Sequence, residues 1–323
     1  TMTFPVGTAF RCQDYIDGDL PCYAVDVGIV INPKLAERVK AADLLLVLGA
    51  RLGEMTTSGY TLVDIPVPRQ ELVHVYPGPD EFGRVYRPSR AVAAGPGVFV
   101  QQLAGAAGER SLSPSGSRKK WLSEARADYE AWQQPQETPG DLKMEQVILH
   151  MRETLPDDAI ITNGAGNYSA WLHRYYRHRV WRTQLAPTSG SMGYGLPAAV
   201  AAKLRYPGRE VICLAGDGCF QMTMQEFGTA AQYGANIVVL ISNNGIYGTI
   251  RMHQERNYPG RVSGTEMVNP DFAALARTYG GHGETVERDA DFPAALERAR
   301  GAGCPAILDL RVSPSALSPR MAI

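Results

Sequence analysis

Two short apolar runs, residues 211–215 and 237–242, carry the clearest strand pattern in the chain. Both are rich in β-branched residues and free of proline, which suits strands buried on both faces. The first runs into Gly216-Asp217-Gly218 and the second into Asn243-Asn244-Gly245, with 24 residues (219 to 242) between the GDG and the NN. Residues 222–233 read as a helix. The unit is therefore strand, loop, helix, strand, with an oxygen-bearing side chain just past each strand. That is the edge at which parallel α/β sheets bind ligands.

The same alternation runs through the rest of the chain. In region 1–108, residues 33–42 read as a helix with Asn32 as N-cap and Pro33 at the first helical position. A buried strand over 44–48 stops at Gly49-Ala50-Arg51, and a second over 72–76 ends in Pro77-Gly78-Pro79, a turn signal. Residues 108–118 are polar and Gly/Ser/Pro-rich, as in a linker, and a charged helix follows over 119–133. These features divide the chain into 1–108, a linker with helix over 109–140, and 141–323. In the last region, 142–153 reads as an amphipathic helix and 159–162 as a strand ending in Asn163-Gly164-Ala165-Gly166-Asn167. Residues 190–204 are glycine-rich and then alanine-rich, a loop feeding a closely packed helix. Further helices are expected over 270–279 and 291–299, with a last strand over 306–312. The expected fold class is α/β, with two doubly wound parallel-sheet domains.

Composition narrows the partners. The 323 residues are 45% hydrophobic and 20% charged, with a net charge of −1 and a pI near 6.6, as in a soluble globular protein. That balance gives no reason to expect nucleic acid or a membrane surface as partner. No apolar run approaches the roughly 18 residues of a membrane span. Five scattered cysteines, without a CxxC pair, fit a reducing, cytoplasmic setting, and the first residues do not read as a signal peptide. Residues 173–182 (HRYYRHRVWR) mix arginines with aromatics. They could form a nucleic-acid or acyl-CoA surface, but an amphipathic helix with its aromatics inward, or a subunit interface, is the favoured expectation.

At the GDG and NN edge, Asp217 offers a carboxylate, Asn244 an amide oxygen, and the turn after Asn244 its backbone carbonyls. Mg²⁺ takes such oxygen ligands together with phosphate and water. Glycines at 216, 218 and 245 allow close backbone approach, and a helix opening near Cys219 would face a diphosphate with free N–H groups. Either polar residue alone is as well explained as a turn-former or cap; the pair at this spacing is the signal.

The GDG, the 24-residue spacing and the NN resemble the thiamine-diphosphate motif of the acetolactate synthase and pyruvate decarboxylase family. The resemblance extends to the Ser189-Gly190-Ser191-Met192-Gly193-Tyr194-Gly195 loop, to Gln221-Met222-Thr223-Met224-Gln225-Glu226 and to Asn269-Pro270-Asp271-Phe272. Region 1–108, with residues 42–51 as its motif, is similar to the family's Rossmann-like central domain, and 141–323 to its thiamine-diphosphate-binding C-terminal domain. The resemblance implies that Asp217, the Asn244 side chain and the Ile246 carbonyl hold Mg²⁺. It implies that Gly216, Gly218, Cys219 and Phe220 border the diphosphate, with Gly166, Asn167 and Tyr168 from the first loop. Ser191 and Met192 would lie on the aminopyrimidine side, Met192 as the apolar wedge that holds the cofactor bent. Proximity of its two rings is what the bend supplies.

The family's activity is that of a lyase or transferase (decarboxylase or carboligase) on 2-oxo acids, in a homodimer or tetramer. Its activating glutamate belongs to an N-terminal pyrimidine-binding domain of a partner subunit. That domain is expected to be missing here, leaving a chain that holds Mg²⁺ and the diphosphate weakly and has no catalytic residue of its own, with His253 as the one candidate. Acetolactate synthases carry tryptophan where His253 stands, methionine at Thr249 and an arginine near Met55, so another decarboxylase or carboligase is favoured. A proton donor is one reading of His253; a solvated or helix-capping residue is the favoured one. Gly49-Ala50-Arg51 resembles a flavin contact, but His74-Val75-Tyr76-Pro77-Gly78-Pro79 lacks the acidic residue used beside the flavin, so tightly bound FAD is not expected. A non-catalytic thiamine-diphosphate-binding module is the alternative. A nicotinamide oxidoreductase is disfavoured because no G-x-G-x-x-G follows an early strand.

Overall fold

The computed structural model describes residues 4–108 and 115–323; linker positions 109–114 lie outside the described residues. The chain divides into two compact units, one comprising Thr1–Gln13 and Gly18–Trp132, the other Asp14–Asp17 and Gln133–Ile323.

The first unit contains β1 (Val6–Thr8), β2 (Tyr23–Asp26), α1 (Pro33–Ala41), β3 (Leu44–Leu48), β4 (Glu71–Tyr76), β5 (Arg90–Ala93), α2 (Pro96–Gly108) and α3 (Gly116–Trp132). Strands β1 and β2 pair in parallel, and β3-β4-β5 form a parallel three-stranded sheet. Asn32 caps α1, its side chain accepting from the Lys34 N–H at 3.0 Å. The core gathers Leu72, Leu62, Val63 and Tyr86. Strand β3 lies at the sheet edge, so it is not the buried strand its sequence suggests: Leu44 and Leu48 are 47% and 37% exposed. The charged helix expected in the linker is α3. It packs on α1 and β2 within this unit, where Arg38 Nε donates to Asp128 at 2.9 Å.

The second unit contains α4 (Met144–Thr154), β6 (Ile160–Asn163), α5 (Ser169–Tyr175), β7 (Gln184–Leu185), α6 (Gly195–Arg205), β8 (Val211–Gly216), α7 (Asp217–Gln221) and α8 (Glu226–Tyr233). It continues with β9 (Val238–Asn243), α9 (Gly248–Asn257), α10 (Phe272–Thr278), β10 (His282–Val286), α11 (Phe292–Gly301), β11 (Ala306–Arg311), β12 (Ala316–Ser318) and β13 (Met321–Ala322). Its six-stranded sheet has the order β10-β11-β9-β8-β6-β7, parallel throughout. Residues of β8 and β9 alternate between two cores. Leu214 and Leu240 join Val147, Met151, Trp171 and Phe292 on one face. Cys213, Val239 and Ile241 join Ala199, Phe227 and Phe272 on the other. Helices therefore cover both faces, the doubly wound arrangement. Each large side chain fully buried there contributes about 1.5–3 kcal/mol.

Two expected helices differ. Residues 222–233 do not form one helix: α7 begins at Asp217, and a turn over 222–225 separates it from α8. There the Thr223 hydroxyl donates to the Gly193 carbonyl at 2.8 Å, tying the turn to the neighbouring loop. Residues 173–182 are not a helix either. Helix α5 stops at Tyr175, where Gln133 Nε2 donates to the Arg174 carbonyl and Arg152 to the Tyr175 carbonyl. Of the aromatics in this stretch, Tyr175 and Tyr176 are buried and Trp181 is half exposed.

Among the described residues, no helix is long and apolar enough to cross a membrane.

Candidate functional site

Chain order along the sheet reverses between β6 and β8, since β7 lies outside β6 while β9 lies outside β8. Such a switch opens a crevice at the carboxyl ends of the strands. Pairing registers bring those ends side by side: Asn163 stands opposite Leu214, Gly216 opposite Ser242, and Asn243 opposite Arg311. A cavity of about 250 Å³ opens there. Gly166, Asn167 and Tyr168 line it after β6, Gly216, Asp217, Gly218 and Cys219 at the end of β8, and Asn244 and Ile246 after β9, with Met192 from the loop before α6. Three expected residues stand apart. Ser191 is exposed, its hydroxyl donating to the Met192 carbonyl at 3.1 Å. The Phe220 ring lies in the core, edge-on to Phe272 at 5.5 Å. His253 is exposed on α9 and does not line the cavity.

The acceptor oxygens are arranged with one open direction. Asp217 Oδ2 accepts from the Gly245 N–H and from Asn269 Nδ2, each at 2.8 Å. Asp217 Oδ1 accepts from the Gly218 N–H, at 2.8 Å. Asn244 Oδ1 accepts from the Ile246 N–H at 3.1 Å, and the Ile246 carbonyl from the Gly248 N–H at 2.9 Å. Each of these three oxygens keeps a lone pair beyond its protein partner. Burial pushes the Asp217 carboxyl above the usual carboxylate range, against hydrogen bonds led by that from Asn269. A bound cation would favour the ionised form that burial disfavours. An all-oxygen set with one carboxylate fits a hard divalent cation.

The loops are locked to one another. Cys219 Sγ accepts from the Tyr168 hydroxyl and from the Gly193 N–H, both at 3.2 Å. Glycines 216 and 218 let the rings lie close: a Cβ there would stand 2.8 Å from the Tyr168 and Tyr247 rings respectively, and the ring would have to shift.

Other lining residues escaped the sequence reading. Thr249, noted only as a departure, accepts from the Asn167 N–H and donates to Asn167 Oδ1, both at 3.1 Å. Asn167 Nδ2 donates to the Leu317 carbonyl at 2.8 Å, so the last strands help enclose the cavity. Thr138 and Trp171 also line it and hold the buried carboxylate of Glu145. Trp171 Nε1 donates to that carboxylate at 3.0 Å and the Thr138 N–H at 2.8 Å. In the first unit, Arg51 donates to the Tyr76 hydroxyl at 2.9 Å and lies over its ring.

Comparison with known proteins matches both regions. Residues 1–103 match the description "Thiamine pyrophosphate enzyme, central domain", and residues 164–310 match "Thiamine pyrophosphate enzyme, C-terminal TPP binding domain". The chain belongs to the thiamine-pyrophosphate-dependent enzymes of the acetolactate synthase family. It is 32% identical over 281 residues to an acetolactate synthase large subunit of Parasynechococcus marenigrum, covering 85% of this chain and 44% of that protein. It is 30% identical over 288 residues to an acetolactate synthase of Mycobacterium bovis, covering 86% of this chain and 46% of the relative. A match to an acetolactate synthase of Arthrospira platensis reaches 39% identity over 158 residues, which is 48% of this chain and 27% of that one. The chain thus spans under half the length of its first two relatives. In family terms, the first matched region is the central domain, and the second includes the crevice with Asp217 and Asn244.

Proposed function

We propose that this chain supplies the diphosphate- and cation-binding half of a thiamine-diphosphate site, in a lyase or carboligase that acts on 2-oxo acids. One observation carries the reading: a carboxylate oxygen, an amide oxygen and a backbone carbonyl, each with a lone pair to spare, border one cavity at the sheet's switch point. In this reading Asp217, Asn244 and the Ile246 carbonyl hold Mg²⁺. Gly166, Asn167, Tyr168 and the backbone from Gly216 to Phe220 border the diphosphate. Met192, 38% exposed and lining the cavity, would support the cofactor, while Ser191 beside it receives no contact role. When bound, thiamine diphosphate would supply a carbon nucleophile for the substrate carbonyl and a thiazolium ring as sink for the electron pair left behind when carbon dioxide departs. The chain's own part is to bind and orient, and to exclude water with Met192, Ile250 and Leu142 at the cavity wall. His253, facing solvent, receives no catalytic role.

The complete enzyme is proposed to work as a cytoplasmic homodimer or tetramer, with a pyrimidine-binding domain supplying the activating glutamate. Departures at Thr249 and His253 from acetolactate synthases keep the substrate at the level of a 2-oxo acid. Calorimetry of the 323-residue chain with thiamine diphosphate, with and without Mg²⁺, tests the reading alongside pyruvate turnover. Cofactor binding that needs Mg²⁺, with turnover only when the pyrimidine-binding domain is added in trans, is expected. Binding without turnover even then favours a non-catalytic module, and binding of NADH instead would return the oxidoreductase reading.

A further inference from the structure

Behind Asp217 stands a chain of side chains that none of the cofactor contacts uses. We propose that Asn269 is a positioning residue that makes Asp217 a one-oxygen ligand, and that Asn243 and Asp309 hold Asn269 in that role. The inference rests on the cation reading given above.

The Asp217 oxygens are not equivalent. Oδ2 accepts two N–H groups, from Gly245 and Asn269, and has no lone pair left. Oδ1 accepts the Gly218 N–H at 2.8 Å and, of the two oxygens, is the one whose lone pair faces no second donor at hydrogen-bonding geometry among the described residues. Asn269 is fixed on every side. Its Nδ2 donates to Asp217 Oδ2 and to Asn243 Oδ1, each at 2.8 Å. Its Oδ1 accepts from Gln221 Nε2 at 2.9 Å. An inverted amide would set oxygen against oxygen at both Asp217 and Asn243, so its orientation cannot turn over. Asn243 is oriented in turn, because its Nδ2 donates to Asp309 Oδ1 at 2.8 Å. Asp309 is fully buried in β11, and its other oxygen pairs with Arg311 at 2.8 Å. Burial raises the Asp309 carboxyl above the usual carboxylate range, opposed by the Asn243 hydrogen bond and by Arg311; as the acceptor of the Asn243 amide it agrees with the direction of every bond back to Asp217. The two asparagines of the NN motif therefore divide the work: Asn244 borders the cavity, while Asn243 acts through Asn269.

One-oxygen coordination matters for the choice of ion. Mg²⁺ needs compact octahedral geometry, whereas Ca²⁺ accepts a carboxylate through both oxygens. Freeing Oδ2 lets Asp217 become two-oxygen and shifts the preference toward Ca²⁺. The test titrates Mg²⁺ and Ca²⁺ into the full chain with thiamine diphosphate present, for the unsubstituted protein, Asn269→Ala and Asp309→Asn. Circular dichroism checks each fold, and Asp309→Asn is the near-isosteric variant if Asn269→Ala does not fold. Asn269→Ala is expected to weaken Mg²⁺ about 10-fold or more, in the range for partners of metal ligands. Ca²⁺ should weaken less, so that the Mg²⁺/Ca²⁺ affinity ratio falls several-fold. Asp309→Asn should move the ratio the same way by less. A ratio unchanged in folded variants, whether the affinities hold or fall together, overturns the role of Asn269 and leaves the cation reading intact. Failure of the unsubstituted chain to bind either ion overturns both.

Discussion

Glu145 gives the sharpest prediction about how the cavity wall is built. Its carboxylate is fully buried on α4, and Trp171 Nε1 donates to one oxygen at 3.0 Å. The Thr138 N–H donates to the other at 2.8 Å, and the Thr138 hydroxyl reaches both. In Glu145→Gln one oxygen becomes an NH₂. If it replaces the oxygen facing Trp171, the indole N–H loses its acceptor; if it replaces the other, the Thr138 N–H does. Either way one buried donor faces another donor, at a cost of about 1–3 kcal/mol. Glu145→Ala strands both N–H groups and leaves a void, so roughly 4 kcal/mol or more is expected. Urea unfolding followed by circular dichroism measures both losses. Near-ultraviolet circular dichroism should also show Trp171 in an altered setting. A glutamine variant as stable as the parent, or an alanine variant no worse than the glutamine one, would refute the reasoning.

His178 should make the second unit acid-sensitive. Burial pushes its imidazole from 6.5 down to about 3, so the unfolded chain takes up a proton below 6.5 while the fold stays neutral. Stability therefore falls as pH drops from 6.5 toward 3, by about 2 kcal/mol at pH 5; a His178→Gln variant should lose that part of the slope in urea titrations at pH 7 and 5. Gly283→Ala would put a Cβ 2.0 Å from the Ala273 carbonyl oxygen, backbone that cannot step aside, whereas Gly208 has nothing within 4 Å. The first should cost about 3 kcal/mol or more and the second within about 0.5 kcal/mol, read from urea midpoints. Asn32→Ala removes the α1 cap and the bond to the Asp128 carbonyl at 3.3 Å. About 1–2 kcal/mol of first-unit stability should go with it, seen as a lower urea midpoint.

The sheet edge and the two oxygen-bearing side chains at it were legible because β8 and β9 are buried on both faces, which forces unbroken apolar runs with polar residues only at their ends. Strand β3 carries the same pattern and misled, since an apolar run does not say whether a strand will find neighbours on both sides. The break between α7 and α8 has no glycine or proline to announce it; the contact from Thr223 to Gly193 makes it. The end of α5 is set by Gln133 and Arg152 reaching its last carbonyls, partners distant in sequence. Asp309 left a usable signal. A carboxylate between Leu308 and Leu310 inside a buried run needs a partner, and that partner is Asn243. Thr249 stood out only as a departure a few residues past the NN motif, and Thr138 and Leu317 left no signal, because each reaches the cavity from a segment with no motif of its own.

The central claim is that Asp217 and Asn244 hold a divalent cation that in turn holds a diphosphate. Titrating thiamine diphosphate into the unsubstituted chain, Asp217→Asn and Asn244→Ala, each with and without Mg²⁺, tests it most directly. The account predicts cofactor binding by the unsubstituted chain only when Mg²⁺ is present, and loss of that Mg²⁺-dependent binding in both folded variants. Equal binding with and without Mg²⁺, or Mg²⁺-dependent binding that survives Asp217→Asn unchanged, would contradict it.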